Sequence, residues 1–291
     1  MTTARTAASS QGESPLLDIG YRRRQLDRAL QEIDTWVADE EQNHPDSDYV
    51  QRMADARRRQ ALHTWGTEFW HGQQDISPLR GALAAWGLAA DDIGLASFHG
   101  TGTVANDRNE SVVLDRQLRH LGRTPGLAVP AVCQKHLTGH PKGPAAAWML
   151  NSAIQSMRTG IVPGNRNADN IDPELRQHEY IVYPARPMQT PKVKAALLKS
   201  FGFGQVGAEL LLVHPDCLLA TLTPEQLDSY NSRLAPREAK SYRYWQDTFV
   251  GNHSFVQVKD RPPYTQDQES EVYLDPLARA QYDKQTGEYH F

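Results

Sequence analysis

The sequence predicts a layered α/β fold, with a polar helical segment before it and an extended tail after it. Three observations lead there. Between Ile93 and His214, short apolar runs alternate with longer helical stretches. The runs are almost continuous in apolar residues, as strands covered on both faces are. On either side the chain turns markedly polar, so that mean hydropathy is -0.61 although 39% of residues are hydrophobic.

Residues 1–13 are rich in Ser, Thr and Ala with no apolar stretch behind them, and read as a disordered lead rather than a signal peptide. Residues 14–77 read as a polar helical insertion. Leu26, Leu30, Ile33 and Val37 recur at three- and four-residue steps, one apolar stripe on one helix. His44-Pro45-Asp46-Ser47-Asp48 breaks the pattern and caps a second helix from about Asp48 to Gly66. Each helix has one thin apolar face, so the pair packs on something else. Trp65, Phe69 and Trp70 mark where it docks. The arginine clusters 22–24 and 57–59 read as solvated helix faces.

The α/β part spans 78–216. Leu79–Leu88 is a short helix, Ile93–Phe98 a buried strand and Asn106–Leu121 a helix. Leu127–Gln134 is a second buried strand, Gly143–Met157 a small-residue helix and Tyr180–Tyr183 a short strand. Val193–Leu198 and Ala208–His214 flank a glycine turn and so are neighbouring strands. Residues 217–291 are a helical extension and tail. Thr223 caps a helix to Leu234, Pro236 opens another to Phe249, and 259–291 lies extended on the surface.

Bulk properties narrow the classes of function. A net charge of -4 gives no reason to expect nucleic acid. No apolar run approaches the roughly 20 residues that cross a bilayer. Two widely spaced cysteines make neither a disulfide framework nor a metal site, and reduced thiols place the chain in the cytoplasm.

Three clusters carry chemistry. His99 follows a strand and precedes Gly100-Thr101-Gly102-Thr103, with Asp107 and Glu110 beyond, at the strand end where open α/β folds keep their sites. Lys135 and His140 follow the next long strand, with Gly139 turning the chain just before the second imidazole. A turn-capped structural histidine is the plain alternative for either alone; two with a lysine point to one site. Paired neutral imidazoles can each donate Nε2–H to a carbonyl oxygen becoming an enolate. The lysine would hold a carboxylate such as Glu110. Metal ligation, with Asp107 or Glu110 as third ligand, is the other reading, although no spacing matches a familiar zinc pattern. Ser200-Phe201-Gly202-Phe203-Gly204 joins two strands, either as a β-turn with core aromatics or as a swinging Phe between glycines. Lys142, near a helix N-terminus, offers a contact for a phosphate. Cys133 sits within a strand and reads as a buried, inert thiol.

Arg22-Arg23-Arg24-Gln25-Leu26-Asp27-Arg28-Ala29-Leu30, Pro78-Leu79-Arg80-Gly81-Ala82-Leu83, Ala105-Asn106-Asp107-Arg108-Asn109-Glu110, the run from Val162 to Asn170, and Ser200 to Gly207 together resemble one family. It is the C-terminal half of the β-ketoacyl synthase domain in the alpha subunit of fungal type I fatty acid synthase, and the likeness covers nearly the whole chain. The resemblance implies a thiolase-like fold, the second half of a ketoacyl synthase, for 78–216. It implies decarboxylative Claisen condensation of acyl and malonyl thioesters, in the making of fatty acids or of fatty-acid-derived starter units.

By position, His99 and His140 are similar to the paired histidines that serve malonyl decarboxylation. Lys135 resembles their supporting lysine, with Glu110 and Asp107 as acidic partners. Phe201, Phe203 and Gly204 resemble the acyl gate and oxyanion turn. Thr101, Thr103 and Lys142 are expected at the substrate and carrier. The resemblance implies no directly bound cofactor and no metal. The carrier protein's phosphopantetheine thioester is the substrate arm. The partners it implies are acyl carrier protein, the N-terminal ketoacyl synthase half or the parent synthase subunits, in an oligomer. The family's nucleophilic cysteine is expected on that other half, so the chain reads as a fragment of the enzyme; a non-catalytic remnant or interaction subunit of a synthase complex is the rival reading. Gly102, His136, Cys133, Pro144 and Ala146 depart from the family pattern, and methyls added on a close-packed helix cost about 1–3 kcal/mol where nothing relaxes.

Overall fold

A computed structural model describes residues 14–43, 48–202, 206–254, 265–274, 281–283, 285 and 289–290. The lead expected over 1–13, and Phe203 and Gly204 of the glycine turn, lie outside the described residues. The chain forms two compact units, Met1–Thr221 and Leu222–Phe291.

The first unit opens with helices α1 (Ile19–Asn43) and α2 (Asp48–Trp65). They run antiparallel, since Gln51 bonds Glu41 and Arg58 bonds Asp34. Ile33, Val37, Val50, Ala54 and Ala61 close their shared seam. The pair docks as its aromatic end suggests. Phe69 is buried with Ile76, Ala84 and Ala85, against helix α3 (Pro78–Ala85). Arg22 fastens this joint and corrects the reading of its cluster as solvated. It is buried, donates to the carbonyls of Leu16 and Ala84 (2.7 Å to the latter), and lies 3.9 Å over the Phe69 ring. A guanidinium stripped of water is costly unless its N–H groups find carbonyls, and these two supply them.

The core is a five-stranded sheet in the order β4-β2-β1-β6-β7. Its strands are β1 (Ile93–Ser97), β2 (Val129–Val132), β4 (Ile181–Val182), β6 (Ala195–Phe201) and β7 (Gly207–Val213). The first four in that order are mutually parallel, and only β7 runs antiparallel, to β6. Side chains alternate between two apolar layers. Ile93, Ala131, Ala195 and Leu197 face Leu83 of α3 and Leu114 and Leu118 of α4 (Val104–His120). Leu95, Val132, Ala196 and Leu198 face Met149, Ala153 and Met157 of α6 (Ala145–Thr159). For β1, β2 and β6, burial on both faces is why the sequences read as unbroken apolar runs, whereas β7, read the same way, is an edge strand exposed over 207–210 and half-buried over 211–213. Between β2 and α6 the chain makes one helical turn, α5 (Lys135–Thr138).

Several boundaries differ from the sequence reading. The strand expected over Leu127–Gln134 pairs only over Val129–Val132, because the Cys133 amide is taken by the Asn165 side chain at 2.7 Å. A two-stranded sheet, β3 (Ile161–Val162) with β5 (Met188–Gln189), is too short to leave a period in the sequence. Cys217 lies in a short helix after β7, α7 (Pro215–Leu219).

In the second unit, one helix, α8 (Pro224–Phe249), replaces the two expected. It opens with a reciprocal Thr223–Gln226 cap and carries Pro236 inside. Proline removes one helical N–H, and on an exposed helix water can serve the carbonyl thus freed. Part of the segment expected as extended is helical, α9 (Gln266–Leu274), again with a reciprocal cap, between Thr265 and Gln268. Gln281–Tyr282 and Tyr289–His290 pair antiparallel. Among the described residues no helix is long and apolar enough to cross a membrane.

Candidate active site

His99 lies just beyond the end of β1, with Phe98 still bonded to the Val132 carbonyl of β2 at 2.9 Å. Its backbone is held from α4. The Glu110 carboxylate accepts the His99 amide at 2.6 Å, the Gly100 amide at 2.8 Å and the Asn106 side chain at 2.9 Å. Asn106 and Glu110 stand one helical turn apart, so both reach the same strand end. Glu110 is fully buried, and burial pushes its carboxyl above the ordinary range against the pull of those donors. Gly100 adopts φ +49°, and a Cβ there would stand 2.9 Å from the Cys133 Cβ, so glycine lets the two strand ends meet.

Lys135 opens α5 and is buried. Its ammonium bonds the His99 carbonyl and lies 3.4 Å from His99 Nδ1 and 3.7 Å from Met149 Sδ. The expected Lys135–Glu110 ion pair does not form among the described residues. The carboxylate is satisfied by amides while the lysine turns to the histidine, and the two groups influence one another only through space.

The structure brings His140 to His99, with ring centroids 5.2 Å apart and planes at 87°. Phe201, at the end of β6, sets its ring 5.6 Å from His99 and donates its amide to His99 Nδ1 at 3.3 Å. His140 Nδ1 accepts the Lys142 amide at 3.3 Å. Lys142 holds φ +61°, an uncommon value for a residue other than glycine. With both Nδ1 atoms accepting, the hydrogen-bond network assigns the proton of each neutral ring to Nε2. Burial, then the charge of Lys135, then His140, depress His99 to about 4, so it is neutral at physiological pH. Two Nε2–H donors this close can serve one oxygen that gains negative charge.

The remaining expected residues fall around this centre. Among the described residues, Asp107 and Thr101 are not among the hydrogen-bond partners of the imidazoles. They line a neighbouring cavity of about 410 Å³ with Ser111, Cys133, Lys135 and Tyr183. Burial raises the Asp107 carboxyl. Thr103 is the exposed N-cap position of α4, and Lys142 is exposed beyond His140. Cys133 is pushed up to about 12, by burial first and then by Glu110 and Asp107, so its thiol stays protonated. Sequence reasoning missed two supports. Asn165 donates to the carbonyls of Ala131 and Pro184 while accepting from Cys133, which fixes the end of β2. His136 lies between the Cys133 carbonyl and the Arg166 amide. Except for Cys133 beside His136, the partners lie 19 to 34 residues away in sequence, and only the folded chain marks these side chains as supports.

The mixed α/β fold with its parallel-rich sheet is of the thiolase-like class. Residues 54–169 match the family model "Beta-ketoacyl synthase, C-terminal domain". The chain is 44% identical over 310 residues to the fatty acid synthase subunit alpha of Penicillium patulum, covering 98% of this chain and 17% of that one. With the Candida albicans subunit it shares 46% identity over 293 residues, covering 93% and 16%. Among solved structures, the ketosynthase FabY from P. aeruginosa superimposes with a TM-score of 0.50 at 24% identity, over 64% of this chain and 33% of that one, a likeness of fold. The match over residues 54–169 is to the β-ketoacyl synthase C-terminal domain family, and nearly the whole chain is similar to part of the fungal fatty acid synthase alpha subunit. It spans about one sixth of the length of those relatives.

Proposed function

We propose that this chain supplies the histidine half of a ketoacyl synthase active site, acting in fatty acid or starter-unit biosynthesis in the cytoplasm. The observation that carries the reading is the matched pair of imidazoles, each with Nδ1 occupied by a backbone amide and Nε2–H left to donate. In the reaction, a malonyl thioester held on a carrier protein's phosphopantetheine arm loses carbon dioxide. The electron pair of the broken C–C bond moves into an enolate whose oxygen takes both Nε2–H donors. The enolate carbon then attacks an acyl thioester on an enzyme thiol. A C–C bond forms, the thiolate leaves and a 3-oxoacyl thioester remains on the carrier. Burial first, and then the charge of Lys135, keep His99 neutral, and Phe201, its ring 5.6 Å from that of His99, borders the reacting groups.

Cys133 does not fit the nucleophile's role, because a thiol held near 12 offers almost no thiolate. The acyl-accepting thiol comes from a complementary ketoacyl synthase half, on a neighbouring segment or another polypeptide. Exposed Trp148 and Ile154 on α6 and Leu137 on α5 give that half an apolar surface to cover.

The test is carbon dioxide release from malonyl thioester by this chain combined with a cysteine-bearing ketoacyl synthase half. His99→Ala and His140→Ala should each lower the rate by roughly 10²-fold or more, as loss of an oxyanion donor does. The double variant should fall little further, since both groups act on one enolate. Near-full release by both single variants sinks the reading. Release that requires added zinc and stops with chelator replaces it by metal catalysis.

A further inference from the structure

Far from the paired histidines in sequence, His63, Glu68 and His71 bring an imidazole, a carboxylate and a second imidazole together on the surface, with ligand atoms within 4.8 Å of one another. We propose that these three side chains form a binding site for a first-row divalent transition metal of the zinc class, which staples the end of α2 to the turn that follows it.

The donor set argues for that class of ion. Two neutral imidazoles and a carboxylate suit zinc, copper and nickel, whereas calcium and magnesium call for oxygen ligands throughout. Around a tetrahedral ion bonded at about 2.0–2.1 Å, ligand atoms stand about 3.3 Å apart. All three side chains are exposed, so modest rotamer changes close the remaining gap without moving the core. Three protein ligands leave a position for water.

The backbone beneath the ligands is already fixed. Trp65, at the end of α2, packs edge-on against Tyr21 at 6.3 Å. The Gly66 amide caps the helix on the Leu62 carbonyl at 2.8 Å, and the His71 amide bonds the Glu68 carbonyl at 2.9 Å. Between Glu68 and His71 sits buried Phe69, held under Arg22. Trp70 packs on Gly81 of α3 so closely that a Cβ there would stand 2.3 Å from it, and its indole bonds the Thr67 carbonyl at 3.1 Å. The ligand-bearing segment is therefore pinned by the residues between its ligands, and most of the ordering a metal would otherwise impose is already in place. The spacing, His-x4-Glu-x2-His, bridges a helix end and a turn and so resembles no single-helix zinc motif.

The experiment uses the full chain without a histidine tag, stripped with chelator and titrated with zinc chloride against a chromogenic chelator. One equivalent should bind per chain. His63→Ala and His71→Ala should each weaken binding at least about 10-fold, since loss of even an outer-shell partner costs 10–100-fold. His140→Ala should leave it intact. Copper(II) should bind more tightly and quench tryptophan emission, because the His71 ring lies 4.0 Å from that of Trp70. That quenching should vanish in His71→Ala. No bound equivalent in the wild type, binding undiminished in the His63→Ala/His71→Ala double variant, or binding lost in His140→Ala overturns the proposal.

Discussion

The amide of Phe201 donates to Nδ1 of His99 at 3.3 Å, across 102 residues of sequence. A backbone group on β6 thereby sets the tautomer of an imidazole at the end of β1. The donor belongs to the strand and needs no particular side chain, so the orientation of His99 depends on the register between neighbouring parallel strands. Register is in turn held by the two apolar layers, because a slip of one residue would turn Leu197 and Leu198 to the wrong faces.

The depressed pKa of His99 makes stability pH-dependent. Its folded value of about 4 lies below the ordinary 6.5, so between the two the unfolded chain binds more protons. The contribution is fully present above about 6.5 and is lost as pH falls toward 4. Urea midpoints at pH 7 and pH 5 should differ more in the wild type than in His99→Gln. Equal differences would mean that His99 is not the group responsible.

Lys135→Met keeps the buried stem and removes the charge. The His99 pKa should rise part of the way toward normal, since burial, its larger cause, remains. An NMR titration of the ring protons reads the shift directly. The His99 carbonyl also loses its donor, at about 1–3 kcal/mol. An unmoved His99 titration would refute the electrostatic role given to the lysine.

Cys133 should resist alkylation by iodoacetamide at pH 8 in the native chain and react after unfolding in urea, because burial and two carboxylates hold its thiol protonated. Peptide mass spectrometry follows it separately from Cys217. Cys133→Ser should leave carbon dioxide release by the reconstituted enzyme unchanged. Rapid native labelling, or activity lost in the serine variant, would return Cys133 to the list of nucleophiles.

Trp148 and Ile154 are 51% and 40% exposed on α6, whose inner face already fills the core with Met149, Ala153 and Met157. The purified chain should self-associate through that outer face, and Trp148→Glu with Ile154→Lys should shift it toward monomer while the fold is kept. Light scattering after size exclusion gives the mass. A wild-type chain that is monomeric at high concentration would show that this face needs no cover.

Much of the fold was legible because burial leaves a record in composition. Val193–Leu198 reads as a strand since both its faces are covered, and Leu26, Leu30, Ile33 and Val37 read as a helix since only one is. Elements of two residues, such as β3 and β5, leave no period to read. Pro236 signals a break that the capped, exposed α8 simply absorbs. The strand read from the sequence runs past the end of β2 because Cys133 is still apolar although its amide has turned to the Asn165 side chain.

What the sequence by itself determined is the order of strands and helices and the residue types delivered to the strand ends: two histidines, a lysine and a phenylalanine. These follow from local patterns of burial and from glycines where the chain must turn. Only the tertiary structure decided how those groups are used. It gave Glu110 to backbone amides and Lys135 to His99, buried Arg22 out of an arginine run, placed Asp107 in a side cavity, and gathered His63, Glu68 and His71 around a helix end. The physical reason is range. Periodicity reports which face of an element is dry, while hydrogen bonds and charges act over a few ångströms between atoms that the chain brings together from positions up to a hundred residues apart.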